Sequence, residues 1–147
     1  MDRGIKKHSD LITVHELTKE YHNPLIDVKA EHSLIESHKN LVFHFPVYWL
    51  NFLSLLKQWL DEFLINSCAF GRSGTHVKNL KIVLAVTVRS ECVDYDKECR
   101  YNHSLEKVLA PFKLTVKYCK ADYQKFFAYY NSDSSPSAEI TRSAKNM

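Results

Sequence analysis

The run Leu80-Lys81-Ile82-Val83-Leu84-Ala85-Val86 constrains this chain more than any other stretch. Apart from Lys81 it is apolar, and Ile82, Val83 and Val86 are β-branched. No alternation of apolar and polar residues marks a solvated side. A short run of this kind fits a strand buried on both faces, and such strands belong to parallel sheets. Parallel strands need crossover connections, usually helices. The expectation is therefore an α/β domain with Leu80 to Val86 at its centre.

Asn40 to Phe63, NLVFHFPVYWLNFLSLLKQWLDEF, reads as one strand–loop–helix unit. Asn40 to Phe45 is the strand, and the chain turns through Pro46 to Asn51. Phe52, Leu55, Leu56, Trp59, Leu60 and Phe63 then recur at spacings of three and four, so they share a helix face. Ser54, Lys57, Gln58, Asp61 and Glu62 fill the other face. In open α/β sheets ligands bind beyond the carboxyl ends of the strands, which is where this aromatic loop stands. From pattern alone, Tyr48 and Trp49 read first as packing residues at a helix entrance.

The rest of the chain follows the same alternation. Residues 1–10 are a polar helix end or a disordered start. Leu11 to Leu17 is β-branched and bounded by polar residues, which predicts a strand. Asn23-Pro24 marks a turn. Asp27 caps a helix from Val28 to about His38, with Val28, Leu34 and Ile35 inside and Glu31 and Glu36 outside. Cys68 to Asn79, with Gly71 and Gly74, is a loop. Thr87 to His103 is a long charged loop of the kind that carries function. Ser104 caps a helix that Pro111 kinks, or splits near Ala110. Lys125 to Tyr130 is a last strand, Asn131 to Ser137 a linker and Ser137 to Lys145 a short helix. The whole reads as a single domain, 1–147, with 1–10 and 131–147 weakly ordered or partial.

Composition excludes several classes. The net charge of +3 comes from 20 basic and 17 acidic residues mixed along the chain, so no nucleic-acid or anionic-membrane footprint stands out. No apolar stretch approaches a membrane span, and the polar start lacks a signal-peptide core, which makes the cytoplasm the default. Cys68, Cys92, Cys99 and Cys119 form no C-x-x-C pair and no disulfide framework; Cys92 and Cys99 read as bystander thiols. The scattered histidines lack metal-ligand spacing, so no metal is expected.

Several blocks, taken in order, carry a family resemblance. They are Ile26-Asp27-Val28 with Ala30-Glu31, then Phe43 to Trp49 (FHFPVYW) and Leu55 to Asp61 (LLKQWLD). Next come Ala69-Phe70-Gly71 with Gly74, Ala85-Val86-Thr87-Val88, Tyr101-Asn102-His103 and Leu109-Ala110-Pro111-Phe112. Together they resemble the flavodoxin-like NAD(P)H:quinone oxidoreductases of the DT-diaphorase type. The bacterial branch includes modulator of drug activity B and the ancillary oxidoreductases of glutathione-gated potassium efflux. The blocks cover most of Leu11 to Tyr130; the second and third are specific together, the others weak singly.

The resemblance implies an open five-stranded parallel sheet of order 2-1-3-4-5 flanked by helices. FMN or FAD would sit at the strand C-termini of a homodimer. Hydride would pass from NAD(P)H through the flavin to a quinone-type acceptor, with no protein nucleophile. Carried over by position, Pro46, Val47, Tyr48, Trp49 and Leu50 would hold the isoalloxazine ring. Thr87, Val88, Arg89 and Ser90 would form the second flavin loop. Tyr95 and Tyr101, the candidate catalytic side chains, would stand near the flavin's polar edge. Phe70 would border the acceptor pocket across the dimer. A peripheral contact with a transport protein is a further implication.

The chain departs from the family at Arg89, where glycine is usual and lets the backbone approach the ring; Arg89 either blocks that approach or points outward to hold a phosphate. The family's first strand and phosphate loop have no counterpart, Met1 to Ser9 matching only the tail of its first helix. The last helix also stops part-way. The expectation is a truncated flavodoxin-like domain with a weak hold on the flavin phosphate. The alternative is a non-catalytic flavodoxin-like fragment acting as a dimerising interaction module.

Overall fold

The computed structural model describes residues 11–22, 25–64, 77–96 and 98–133. The apolar run forms a strand, β2 (Lys81–Thr87), one residue later than the pattern places it. β1 (Asn40–Pro46) pairs with it in parallel along its whole length, from Asn40 opposite Lys81 to Pro46 opposite Thr87. The other edge of β2 is shared by two short parallel strands. β3 (Asp122–Tyr123) pairs with Lys81 and Ile82, and β4 (Phe127–Tyr129) with Ala85, Val86 and Thr87. The sheet is open and parallel, with four strands among the described residues. Only Phe127 to Tyr129 of the expected last strand pairs, and β3 was not foreseen.

Register explains the core. Residues opposite each other in a parallel pair share a face, and the faces alternate along each strand. Leu41, Phe43 and Phe45 therefore join Ile82, Leu84 and Val86 on one side. Two amphipathic helices, α3 (Ser54–Phe63) and α5 (Ala110–Tyr118), pack there. Phe43 meets Trp59 at 5.7 Å and Phe112 at 5.1 Å between ring centroids, and Phe45 stacks on Phe112 at 6.1 Å. Leu84 is wholly buried at the centre of this layer. On the other side Ala85 is buried, Val83 half-buried and Val42 exposed, so burial on both faces holds only for part of β2.

Local signals set the helix ends. The Asp27 carboxylate accepts the Ala30 N–H at 3.0 Å and opens α2 (Val28–Glu36). The Ser104 hydroxyl accepts the Lys107 N–H and opens α4 (Leu105–Val108). The chain breaks at Leu109 and restarts at Ala110, because Pro111 lacks an N–H and is tolerated only in a first turn.

Two expectations fail. Leu11 to Leu17 is not a strand: Ile12 to Glu16 belongs to no helix or strand, and Leu17 begins the short helix α1 (Leu17–Glu20). A β-branched run becomes a strand only beside an edge that accepts its hydrogen bonds, and here side chains tether it instead. Thr13 hydrogen-bonds His38 at 2.9 Å and His15 donates to Glu31 at 2.7 Å. Second, Glu31 is not outside but 1% exposed. Its carboxylate accepts from Tyr21, from the Trp59 indole at 2.9 Å and from His15, so the charge is buried with hydrogen-bond partners. Among the described residues no helix is long and apolar enough to cross a membrane. The expected loop from Cys68 and the segment from Ser134 onward lie outside the described residues, apart from Val77 to Asn79.

Candidate functional site

The two loops singled out in the sequence leave the carboxyl ends of adjacent parallel strands, β1 and β2. The Val47 N–H donates to the Thr87 carbonyl at 2.8 Å, so the loops are tied to each other at their roots. Pro46 and Thr87 are register partners. The sheet thus brings Pro46 to Leu50 and Thr87 to Ser90 to one place.

The first loop is a tight turn. The Tyr48 N–H donates to the Asn51 carbonyl at 2.7 Å, and the Asn51 N–H donates back to Tyr48 at 3.0 Å. The two central residues have positive φ, 50° at Trp49 and 58° at Leu50. That is the pattern of a type I′ turn, which favours Asn and Gly because a Cβ is crowded there. Two bulky side chains in this region store strain of a kind that collects at functional sites. The turn leaves Trp49 87% exposed and Tyr48 61% exposed. The packing reading of these two aromatics is thereby corrected: the turn closes so tightly that their rings project from the body.

The second loop is pinned from the other side. Val88 donates to the Tyr129 carbonyl at 2.8 Å, Asn131 to the Ser90 carbonyl at 3.1 Å and Ser132 to the Val88 carbonyl at 3.1 Å. Val88 is buried, and Thr87 and Ser90 are half-buried. Arg89 resolves one alternative left open by the sequence. Its Nε lies 2.8 Å from Asp133 Oδ2 and its side chain is 83% exposed, so it points outward and does not block the backbone of the loop.

Beyond this loop the chain makes a 3-10 turn (Cys92–Tyr95) and returns to Tyr101, whose N–H donates to the Asp94 carbonyl at 3.2 Å. Tyr95 and Tyr101 are brought together, with ring centroids 4.9 Å apart. The Ser90 and Tyr101 hydroxyls are hydrogen-bonded at 2.8 Å. Burial pushes the Tyr95 phenol up, helped by Tyr101 and Asp94, while a hydrogen bond from Ser90 opposes the rise. Tyr130 packs on Tyr95 at 6.0 Å, and burial together with the Cys92 thiol pushes its phenol up to about 12. Arg100 lies over the Tyr101 ring at 5.6 Å. Phe70 lies outside the described residues.

A cavity of about 230 Å³ opens between α3 and α5, lined by Phe52, Leu60, Leu64, Phe112 and Cys119 with Lys57 and Asp61. It includes none of Pro46 to Leu50 or Thr87 to Ser90. It is a packing groove between helices, away from the rim where the two loops meet. Sequence reasoning missed the Ser90 bond to Tyr101 and the roles of Tyr130 and Arg100. The length of the charged loop signalled Ser90, Arg100 and Tyr101, whereas Tyr130 lies in the expected last strand and nothing signalled it.

A family model described as the flavodoxin-like fold matches residues 3–147. The chain belongs to this flavodoxin-like family. A relative in Bacillus subtilis (strain 168), an uncharacterized NAD(P)H oxidoreductase, YrkL, is 33% identical over 143 residues, which are 97% of this chain and 82% of that protein. The glutathione-regulated potassium-efflux system ancillary protein KefG of Erwinia tasmaniensis is 28% identical over 78% of this chain and 62% of its own length. Among solved structures, general stress protein 14 of Treponema denticola, in complex with FMN, superposes with a TM-score of 0.91. It is 44% identical and matched over 97% of this chain and 81% of its own. The flavodoxin-like sheet explains why both loops stand at the carboxyl ends of β1 and β2: all four described strands run the same way, so their following loops share one rim.

Proposed function

We propose that this chain binds the isoalloxazine ring of FMN at the rim formed by Pro46 to Leu50 and Thr87 to Ser90, and works as an NAD(P)H oxidoreductase toward a quinone-type acceptor. The observation that carries this reading is the rim itself. Two loops fastened by the bond from Val47 to Thr87 hold a strained aromatic turn beside the loop that leaves β2. The residues fit a planar aromatic group. Trp49 and Tyr48 offer faces for stacking, and Arg89 turns its side chain away from the loop after β2. The FMN-bound neighbour and the oxidoreductase relatives support the same choice.

Bound FMN would supply the two-electron chemistry, taking hydride from NAD(P)H and passing it to the acceptor. This chain's residues have narrower tasks. The turn positions the ring, and the second loop borders its polar edge. Tyr95, its phenol raised by burial, keeps its proton at neutral pH, and Tyr101 stands beside it on the side of Ser90. The full protein would be a homodimer, with the helix after Trp49 and the loop after Cys68 at the interface and Phe70 beside the acceptor. The KefG relative supports a peripheral contact with a transport protein.

Titrating FMN into the protein and following flavin fluorescence tests the reading. Saturable quenching that weakens when Trp49→Ala is introduced, followed by bleaching with NADH or NADPH and recovery with a quinone, is expected. No quenching at any ratio would refute it.

A further inference from the structure

β1 is an edge strand, and among the described residues its outer side pairs with nothing. The Lys81 N–H donates to the Lys39 carbonyl at 3.1 Å, and the Val47 N–H donates to the Thr87 carbonyl at 2.8 Å. In a parallel ladder each residue turns both backbone groups to one side, and the side alternates along the strand. Lys39, Leu41, Phe43, Phe45 and Val47 therefore bond toward β2, whereas Asn40, Val42 and His44 point their N–H and C=O groups away from it. Thr13 is held near the start of this edge by His38, yet the bonds of residues 11–22 to the body run through side chains, and none reaches the β1 backbone. Sheet edges are ordinarily guarded by charged side chains, prolines or bulges. Asn40 to Phe45 holds no Lys, Arg, Asp or Glu and pairs with β2 residue for residue, without a bulge. Val42, at its middle, is 57% exposed.

We propose that this edge is an interface for a second copy of the chain, the two β1 strands pairing antiparallel about a twofold axis at Val42. The order of residues along the edge singles out that occupant. Antiparallel bonds run straight across and are reciprocal, as a twofold axis requires. With the axis at Val42, Val42 meets Val42 of the second copy, and Asn40 meets His44 in both directions. Each of these residues gives its N–H to the residue opposite and takes one back. The side chains match as well, with an apolar pair at the axis and an amide opposite an imidazole on either side of it. Pro46 has no N–H to offer, which ends the pairing beyond His44. Ile12 and Val14 flank Thr13 and are exposed, so with Val42 they offer the second copy an apolar surface to cover. This pairing joins two sheets edge to edge. It is separate from the helix contacts of the homodimer proposed above and does not rest on the flavin reading.

Sedimentation of the full chain across a dilution series tests the proposal. Val42→Lys sets like charges against each other at the axis, and Val42→Pro removes the central outward N–H; neither removes a backbone bond to β2. Both should halve the assembled mass of the wild type, whether or not the helices also pair. Val42→Thr, uncharged and β-branched, should keep it. All four described strands pair in parallel, so assembly should add an antiparallel amide I component to the infrared spectrum, and Val42→Lys should lack it. Equal masses for wild type and Val42→Lys at every dilution would overturn the proposal. So would slow hydrogen exchange at the Val42 and His44 amides of the dilute wild-type monomer, because the edge would then be covered by something other than a second copy.

Discussion

Glu31→Ala tests the least expected part of the structure. The carboxylate is 1% exposed and accepts hydrogen bonds from Tyr21, His15 and the Trp59 indole. Each bond to a charged acceptor contributes about 1.5–3 kcal/mol. Against this, removing the charge recovers a desolvation penalty of several kcal/mol. Tyr21 and His15 are half-exposed and can turn to water, but the Trp59 indole is 3% exposed and cannot. Leaving that donor unsatisfied costs about 1–3 kcal/mol, and a net loss of about 2–4 kcal/mol is expected. For a domain of this size that lowers the melting temperature by roughly 6–15 °C. Thermal unfolding followed by circular dichroism reads the shift. Trp59→Phe should also destabilise, and the double variant should cost less than the sum of the two by about 1 kcal/mol. Limited proteolysis should show residues 11–22 released first in Glu31→Ala, because His15 and Tyr21 tie that segment to the body. A wild-type melting temperature for Glu31→Ala, or strict additivity with Trp59→Phe, would refute the reasoning.

Leu84→Ala, at the most buried position of β2, should cost about 2–5 kcal/mol in chemical denaturation, whereas Val83→Ala, half-buried on the opposite face, should cost clearly less; equal costs would contradict the assigned faces. Trp49→Gly should stabilise the flavin-free protein by roughly 1 kcal/mol by relieving a positive φ while weakening FMN binding, and a lower melting temperature would contradict the strain. Tyr21, Tyr95, Tyr123 and Tyr130 all have phenols raised by burial, with the Glu31 hydrogen bond adding to it at Tyr21. The folded state therefore holds protons that the unfolded chain releases near pH ~10. That stability is fully present below this pH and is lost as pH climbs through the raised values, about 12 for Tyr130. Denaturation midpoints that stay level across the alkaline range would contradict it.

The candidate site was legible as two stretches and illegible as a constellation. Pro46 to Leu50 follows an apolar strand signal, and strand ends are where such sheets place their loops, but it was the family resemblance that named this loop and Thr87 to Ser90 as flavin contacts. The bond from Val47 to Thr87, the outward turn of Arg89 toward Asp133, and the meeting of Ser90 with Tyr101 join positions between 11 and 44 residues apart. No periodicity encodes such contacts, since they depend on how strands dock.

The same division runs through the fold. Local chemistry determined the elements whose cause is local: β2 from an unbroken apolar run, α3 from its apolar face, the Asp27 and Ser104 caps from one side chain each, and the break at Leu109 from Pro111. Tertiary structure decided the rest. Leu11 to Leu17 has the residues of a strand, yet strand formation depends on a neighbouring edge, and its side chains bond to His38 and Glu31 instead. Glu31 has the spacing of a solvated helix face, yet three donors from sequence positions 10 to 28 residues away bring it inside. A helix or a cap is stabilised by residues within a turn of each other, so the chain announces it. A buried charge or a sheet edge is settled by partners far along the chain, so only the folded molecule shows it.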